Sequence, residues 1–146
     1  MISIGVLTIS DSGAKGIRQD TSGEGIRSMV SQMPGAVITA GAIIPDERDQ
    51  VEATLREWSD EKHLNLILTT GGTGLSPRDV TPEATKSVIE REAPGIAEAM
   101  RSVSLQHTPF GMLSRGVAGT RGRTLIINLH YGPGCRERFR SAYPPG

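Results

Sequence analysis

Cysteine occurs once, at position 135, so no internal disulfide can form and the chain fits a reducing compartment. No Cys/His cluster suggests zinc. Net charge is also missing: Lys plus Arg and Asp plus Glu number 16 each, and no global field draws the protein to DNA, RNA or an anionic membrane. Any anionic ligand must therefore be held locally. The longest apolar stretches, around Leu64 to Leu68 and Leu125 to Leu129, are strand-length, far short of the roughly 20 residues a membrane helix needs. Met1 runs at once into strand-like sequence, without the basic segment and long apolar core of a signal peptide, so a cytoplasmic protein is expected. Neither GxxxxGK[ST] nor GxGxxG is present, which removes the main support for P-loop NTPase and dinucleotide folds. The arginines at 121, 123, 136, 138 and 140 lack the aromatic interleaving of nucleic-acid stacking platforms.

With 146 residues, 36% of them apolar, the sequence can build one domain around one core. Ile2 to Ile9 is β-branched and nearly continuously apolar, as a parallel strand covered on both faces should be. A helix is expected from Ser22 to Met33, a strand from Ala36 to Ile44, and a second helix presenting Val51, Leu55 and Trp58 to the sheet. The third strand, Leu64 to Thr70, leads straight into Gly71-Gly72-Thr73-Gly74. Thr81 then reads as the N-cap of a helix with Pro82 at its first position, ending near Glu92, and Pro94 begins another. Met112 to Val117 and Thr124 to Leu129 read as strands, and Cys135 to Tyr143 as a short helix. Alternating strands and helices predict a doubly wound, mainly parallel α/β sheet.

In such sheets ligands bind at the carboxyl ends of strands, beside helix N-termini. Four segments are expected to converge there: Ser10-Asp11-Ser12, Pro45-Asp46-Glu47, Gly71 to Asp79, and the loop after Asn128. The glycines would let backbone amides approach phosphate oxygens closely, although a tight strand-to-helix turn would need them too. Asp79, beside Arg78, could hold Mg²⁺, which takes one or two protein carboxylates and completes its octahedron with water and substrate phosphates. Asp46 sits where a helix N-cap is expected, and capping alone would account for it. Turn chemistry accounts for most of the short polar side chains of the first loop, Asp20 among them. Ser114 and Arg115, at a predicted strand end, could bind an anionic group, whereas His63, His107 and His130 stand isolated in sequence.

Taken together, TTGGTG (69 to 74), PRDVTPEAT (77 to 85), EREAPG (90 to 95) and LSRGVAGTRGRTLIINL (113 to 129) resemble the molybdopterin adenylyltransferase family. That family includes bacterial MogA and MoaB proteins and the G domain of gephyrin. SDSGAKGIRQDTSG (10 to 23) and IPDE (44 to 47) extend the resemblance over roughly residues 2 to 129. It implies a single-domain, three-layer α/β/α fold, usually a homotrimer, that binds molybdopterin beside MgATP. The implied reaction joins AMP to the substrate's terminal phosphate and releases pyrophosphate; other proteins of molybdenum cofactor synthesis would be its partners. Family aspartates implicated in catalysis match Asp46 and Asp79, which would also hold Mg²⁺. Substrate binding would fall to Ser10, Asp11, Thr70, Gly71, Gly72, Thr73, Gly74, Arg78, Thr81, Pro82, Glu83, Ser114, Arg115 and Asn128.

One segment departs from the family pattern. After Ile-Asn-Leu the family usually has a Pro-Gly-Ser-type loop and a longer amphipathic helix, whereas this chain reads His130-Tyr131-Gly132-Pro133-Gly134 and a short basic stretch. That atypical C-terminal segment, from about residue 130, favours the first of two alternatives. One is a catalytically impaired pterin-binding or assembly protein of the same fold. The other is a nucleotide hydrolase similar to the competence-damage proteins, for which the sequence offers no dedicated hydrolytic base.

Overall fold

The computed structural model describes residues 1–17 and 19–130. Strands β1 (Ile2–Ile9), β2 (Ala36–Ile44), β3 (Leu66–Thr70), β4 (Arg91–Glu92), β5 (Ala118–Arg121) and β6 (Thr124–Leu129) form one sheet in the order β2-β1-β3-β6-β5-β4. The β2-β1-β3-β6 portion is parallel; β5 runs antiparallel to β6, and β4 to β5. The helices are α1 (Asp11–Ala14), α2 (Thr21–Ser31), α3 (Arg48–Arg56), α4 (Thr81–Val88) and α5 (Pro94–His107). A π-helical turn (Glu57–Glu61) extends α3, and a 3₁₀ turn (Pro109–Leu113) follows α5.

Side-chain alternation along the central strands splits the core in two, giving the expected three layers. Leu7, Ile9, Ile67 and Ile126 point to one face, where Val51, Leu55, Trp58, Ala84 and Val88 of α3, its π turn and α4 cover them. Ile4, Val6, Leu68 and Leu129 point to the other, against Ile26 and Val30 of α2 and Met100 of α5. The β2 edge changes sides midway. Its register on β1 slips between Ile4 and Gly5, leaving Thr39 as an extra residue, so Ala36 and Ile38 join the α2 side while Ala40, Ala42 and Ile44 join the α3 side. No helix among the described residues is long and apolar enough to cross a membrane.

Several elements differ from their sequence reading. Residues 112–117 do not form a strand: Pro109 opens a 3₁₀ turn, Thr108 Oγ1 accepts from the Phe110 amide, and strand pairing begins only at Ala118. Helix α4 stops at Val88, four residues short of Glu92, because Ile89 is extended (ψ 146°) and the chain turns into the two-residue β4. Thr81 is the first residue of α4 and Val80 its N-cap. Asp46 does not cap α3; Glu47 occupies that position without a side-chain bond, since the Asp46 carboxylate is engaged elsewhere. The expected helix Cys135 to Tyr143 lies outside the described residues.

Candidate functional site

The chain leaves β1 toward β2 on one side and returns past β1 to β3 on the other, so the β1/β3 boundary is the topological switch point of the parallel sheet. A cleft of about 630 Å³ opens there, within the size range of small-molecule sites. It is lined by Thr8, Ile9, Ser10 and Gly13 at and beyond the end of β1, by Gln19, Asp20, Thr21 and Ser22 at the start of α2, by Thr70 to Gly74 and Asp79 at and beyond the end of β3, and by His130 after β6.

The Gly-rich turn is fixed by close packing. Gly71 and Gly72 both have positive φ (98° and 70°). A Cβ on Gly71 would land on the Ile9 carbonyl oxygen, and one on Gly72 would land on the Thr81 hydroxyl beneath it. Two glycines are therefore needed to let β3 turn over the end of β1 and the first residue of α4. Asp79 lies against this turn, with Oδ2 accepting from the Ser76 amide at 2.9 Å.

Behind the turn, the loops after β1 and β2 are tied reciprocally. The Asp11 amide donates to Asp46 Oδ2 and the Asp46 amide donates to Asp11 Oδ1, each at 2.9 Å. Arg78 closes the group, donating to both Asp11 oxygens (3.0 and 3.1 Å) and to Glu47 (2.9 Å). The Arg78 bonds, with the Asp46 amide, hold the Asp11 carboxyl below its ordinary value. Asp46 moves the opposite way: burial raises it, and the neighbouring charges of Asp11 and Asp79 add to the rise. Its carboxylate faces the underside of Gly72.

Of the residues singled out in sequence, Ser10, Thr70, Gly71, Gly72, Thr73, Gly74 and Asp79 border the cleft. Asp11, Asp46 and Arg78 form the charged group behind it. Thr81 and Pro82 are buried at the head of α4, and Glu83 pairs with Arg115 at 2.7 Å. Arg115 also donates to the carbonyls of Gly74 and Asp79, and Ser114 precedes it beyond the 3₁₀ turn. Asn128 is buried: its amide donates to Thr69 and Thr85 hydroxyls and accepts from the Val117 amide, stitching β6, β3 and α4 together under the site.

Sequence reasoning missed the Gln19 to Ser22 side of the cleft. Asp20 caps α2 through the Gly23 amide (3.0 Å) and accepts from the Thr8 hydroxyl (3.0 and 3.1 Å), which brings the start of α2 over the end of β1. An aspartate ahead of Thr-Ser-Gly and a helical run was a readable cap signal. Its place opposite the Gly-rich turn depends on the crossover geometry.

Comparison with known proteins agrees with this geometry. Residues 5–142 match the family described as "Probable molybdopterin binding domain". The chain is 43% identical to the molybdopterin adenylyltransferase of Helicobacter pylori J99 over 145 residues, covering 98% of this chain and 82% of that protein. It is 42% identical to the molybdenum cofactor synthesis protein cinnamon of Drosophila melanogaster, but spans only 23% of that longer protein while 97% of this chain is covered. The crystal structure of the molybdopterin biosynthesis enzyme MoaB from Thermus thermophilus superposes with a TM-score of 0.89 at 49% identity, covering 97% of this chain and 89% of that one. With a three-layer fold around a mainly parallel sheet, a Gly-rich turn at its switch point and a match over nearly its whole length, the chain belongs to the molybdopterin-binding family of molybdenum cofactor biosynthesis proteins.

Proposed function

We propose that this protein is a molybdopterin adenylyltransferase that uses MgATP. The observation carrying the reading is the placement of an aspartate and a Gly-rich turn in one cleft: Asp79 lies against the Gly71 to Gly74 turn, at the point where strand ends and helix starts converge. In the proposed reaction an oxygen of the molybdopterin phosphate attacks the α-phosphorus of ATP. A new P–O bond forms, the bond to the β-phosphate breaks, and pyrophosphate leaves. The attacking phosphate is already ionised, so neither aspartate need act as a base.

The chain's own contribution is binding, alignment and charge. The peptide units of the Gly71 to Gly74 turn line the cleft and offer backbone amides to phosphate oxygens. The N-terminal turn of α2, with the Thr21 and Ser22 hydroxyls, borders the same cleft and favours negative charge. The donor chemistry fits a hard cation: the Asp46 carboxylate lies against Gly72 and the Asp79 carboxylate against Gly74 of the same turn, and oxygen ligands of this kind suit Mg²⁺. Among the described residues no three His, Cys, Asp or Glu side chains cluster as a metal cage, and Mg²⁺ beside ATP ordinarily draws much of its shell from phosphate and water. Held by Asp79 and Asp46, the cation would screen the repulsion between the two anionic substrates and stabilise the departing pyrophosphate. A homotrimer in the cytoplasm completes the proposal. The exposed apolar side chains of Leu105, Phe110, Met112 and Leu113, around the end of α5 and its 3₁₀ turn, support an assembled state.

Incubation with molybdopterin, ATP and Mg²⁺ tests the reading. Adenylylated pterin and pyrophosphate are expected in equal amounts, with turnover reduced about a hundredfold or more in Asp79→Asn and its thermal unfolding close to wild type. Pterin binding without either product would instead make this a binding or assembly protein.

A further inference from the structure

Arg115 is placed unlike an anion ligand. All three of its guanidinium nitrogens already meet protein acceptors: Nε donates to the Gly74 carbonyl at 2.7 Å, Nη2 to the Asp79 carbonyl at 2.7 Å, and Nη1 to the Glu83 carboxylate at 2.7 and 3.1 Å. Its backbone amide donates to the Thr73 carbonyl at 2.9 Å. One residue thus grips the Gly-rich turn, both ends of the loop from Gly74 to Asp79, and the first turn of α4. Within that loop the Ser76 amide donates to the Asp79 carboxylate and the Asp79 amide donates to the Ser76 carbonyl. The orientation of the Asp79 side chain therefore depends on a loop whose two ends are fixed to a common planar fork. Glu83 balances the guanidinium charge, and its own carboxyl is held below the ordinary value by that pairing, which leaves little net charge to attract a phosphate.

We propose that Arg115 is a positioning residue, which sets the Asp79 carboxylate against the Gly-rich turn and touches neither the nucleotide nor the pterin. Its effect on turnover rests on the adenylyltransferase reading above; its effect on the loop does not. Lysine cannot replace it, because a single ammonium cannot span acceptors matched to a rigid fork.

Two measurements test this. The first is hydrogen exchange on the full chain without substrates. Arg115→Lys and Arg115→Ala are expected to speed exchange in peptides covering 73–80 while β1 stays as protected as in wild type; unchanged exchange in 73–80 overturns the brace. Should Arg115→Ala fail to fold, as loss of β1 protection would reveal, Arg115→Lys carries the comparison. The second is a double-mutant cycle in adenylyl transfer. Arg115→Lys should lower kcat about 10- to 100-fold with each KM within about threefold, and should add less than about threefold loss in an Asp79→Asn background. An equal loss in both backgrounds, or a raised KM carrying the effect, makes Arg115 a direct ligand and overturns the proposal. If wild type transfers no adenylyl group, the adenylyltransferase reading falls, and exchange alone decides whether Arg115 braces the loop.

Discussion

Asp11 and Asp46 each accept the other's backbone amide and yet shift in opposite directions, because the Arg78 guanidinium is bonded to Asp11 whereas burial acts on Asp46. The signs follow from linkage. Asp11 is lowered, so its stabilising contribution is present above the ordinary aspartate value and disappears as pH falls through its folded value. Asp46 is raised, so its ionisation costs stability as pH rises from the ordinary value through the folded one, and that cost is fully present above the folded value. Asp46→Asn keeps an oxygen to accept from the Asp11 amide and removes the charge. It is expected to raise Tm at pH 7, with the gain shrinking as pH falls through the carboxylate range, and to lower turnover. Thermal scans at several pH values check this; a lower Tm at pH 7 would show that the charge stabilises the site. A residue that weakens the fold when charged is the kind retained for chemistry.

Among the elements, the Gly71–Gly72 turn has the least tolerance. An alanine at 71 needs a positive φ and meets the Ile9 carbonyl, backbone that cannot step aside. Gly71→Ala should cost roughly 2–4 kcal/mol, read as a lower urea midpoint; a change below about 0.5 kcal/mol would mean the two strand ends are not held as tightly as the packing indicates. Elements were legible in sequence where one local signal dominated. The apolar run Ile2 to Ile9 reads as a strand because both its faces are covered, and Pro94 marks the start of α5 because its ring fits only a first turn. Met112, Leu113 and Val117 misled because apolar spacing alone does not show that Pro109 and Thr108 wind the segment into a 3₁₀ turn. The site was half legible for a related reason. Gly71 to Gly74 and Asp79 are close together in the chain, whereas Asp20 and Ser22 reach the cleft only through the α2 crossover, and Arg115 finds its acceptors 32 to 41 positions away.

At the scale of the whole molecule, stability rests on the two packed faces of the central strands, and the outward side of the edge strand β2 contributes little. Leu55 is fully buried between α3 and the sheet, so Leu55→Ala should cost about 2–5 kcal/mol. Val37→Ala, on the exposed side of edge strand β2, should change stability by less than about 0.5 kcal/mol. Trp58, the sole tryptophan, is 4% exposed within the same cluster as Leu55, and its fluorescence can follow both unfolding curves; equal losses in the two variants would contradict the contrast between core and edge.

The order in which the sheet is laid down in sequence also bears on how the chain is made. Strand β6 is the last of the six in sequence but pairs between β3 and β5, near the middle of the sheet. Until Thr124–Leu129 has left the ribosome, β3 therefore has an unpaired edge, Leu66 to Thr70, rich in β-branched and aliphatic side chains. Such an edge is a template for pairing with a neighbouring nascent chain. Emergence of β6 closes that edge, so a pause in translation before residue 124 would prolong the exposure of β3 to such pairing.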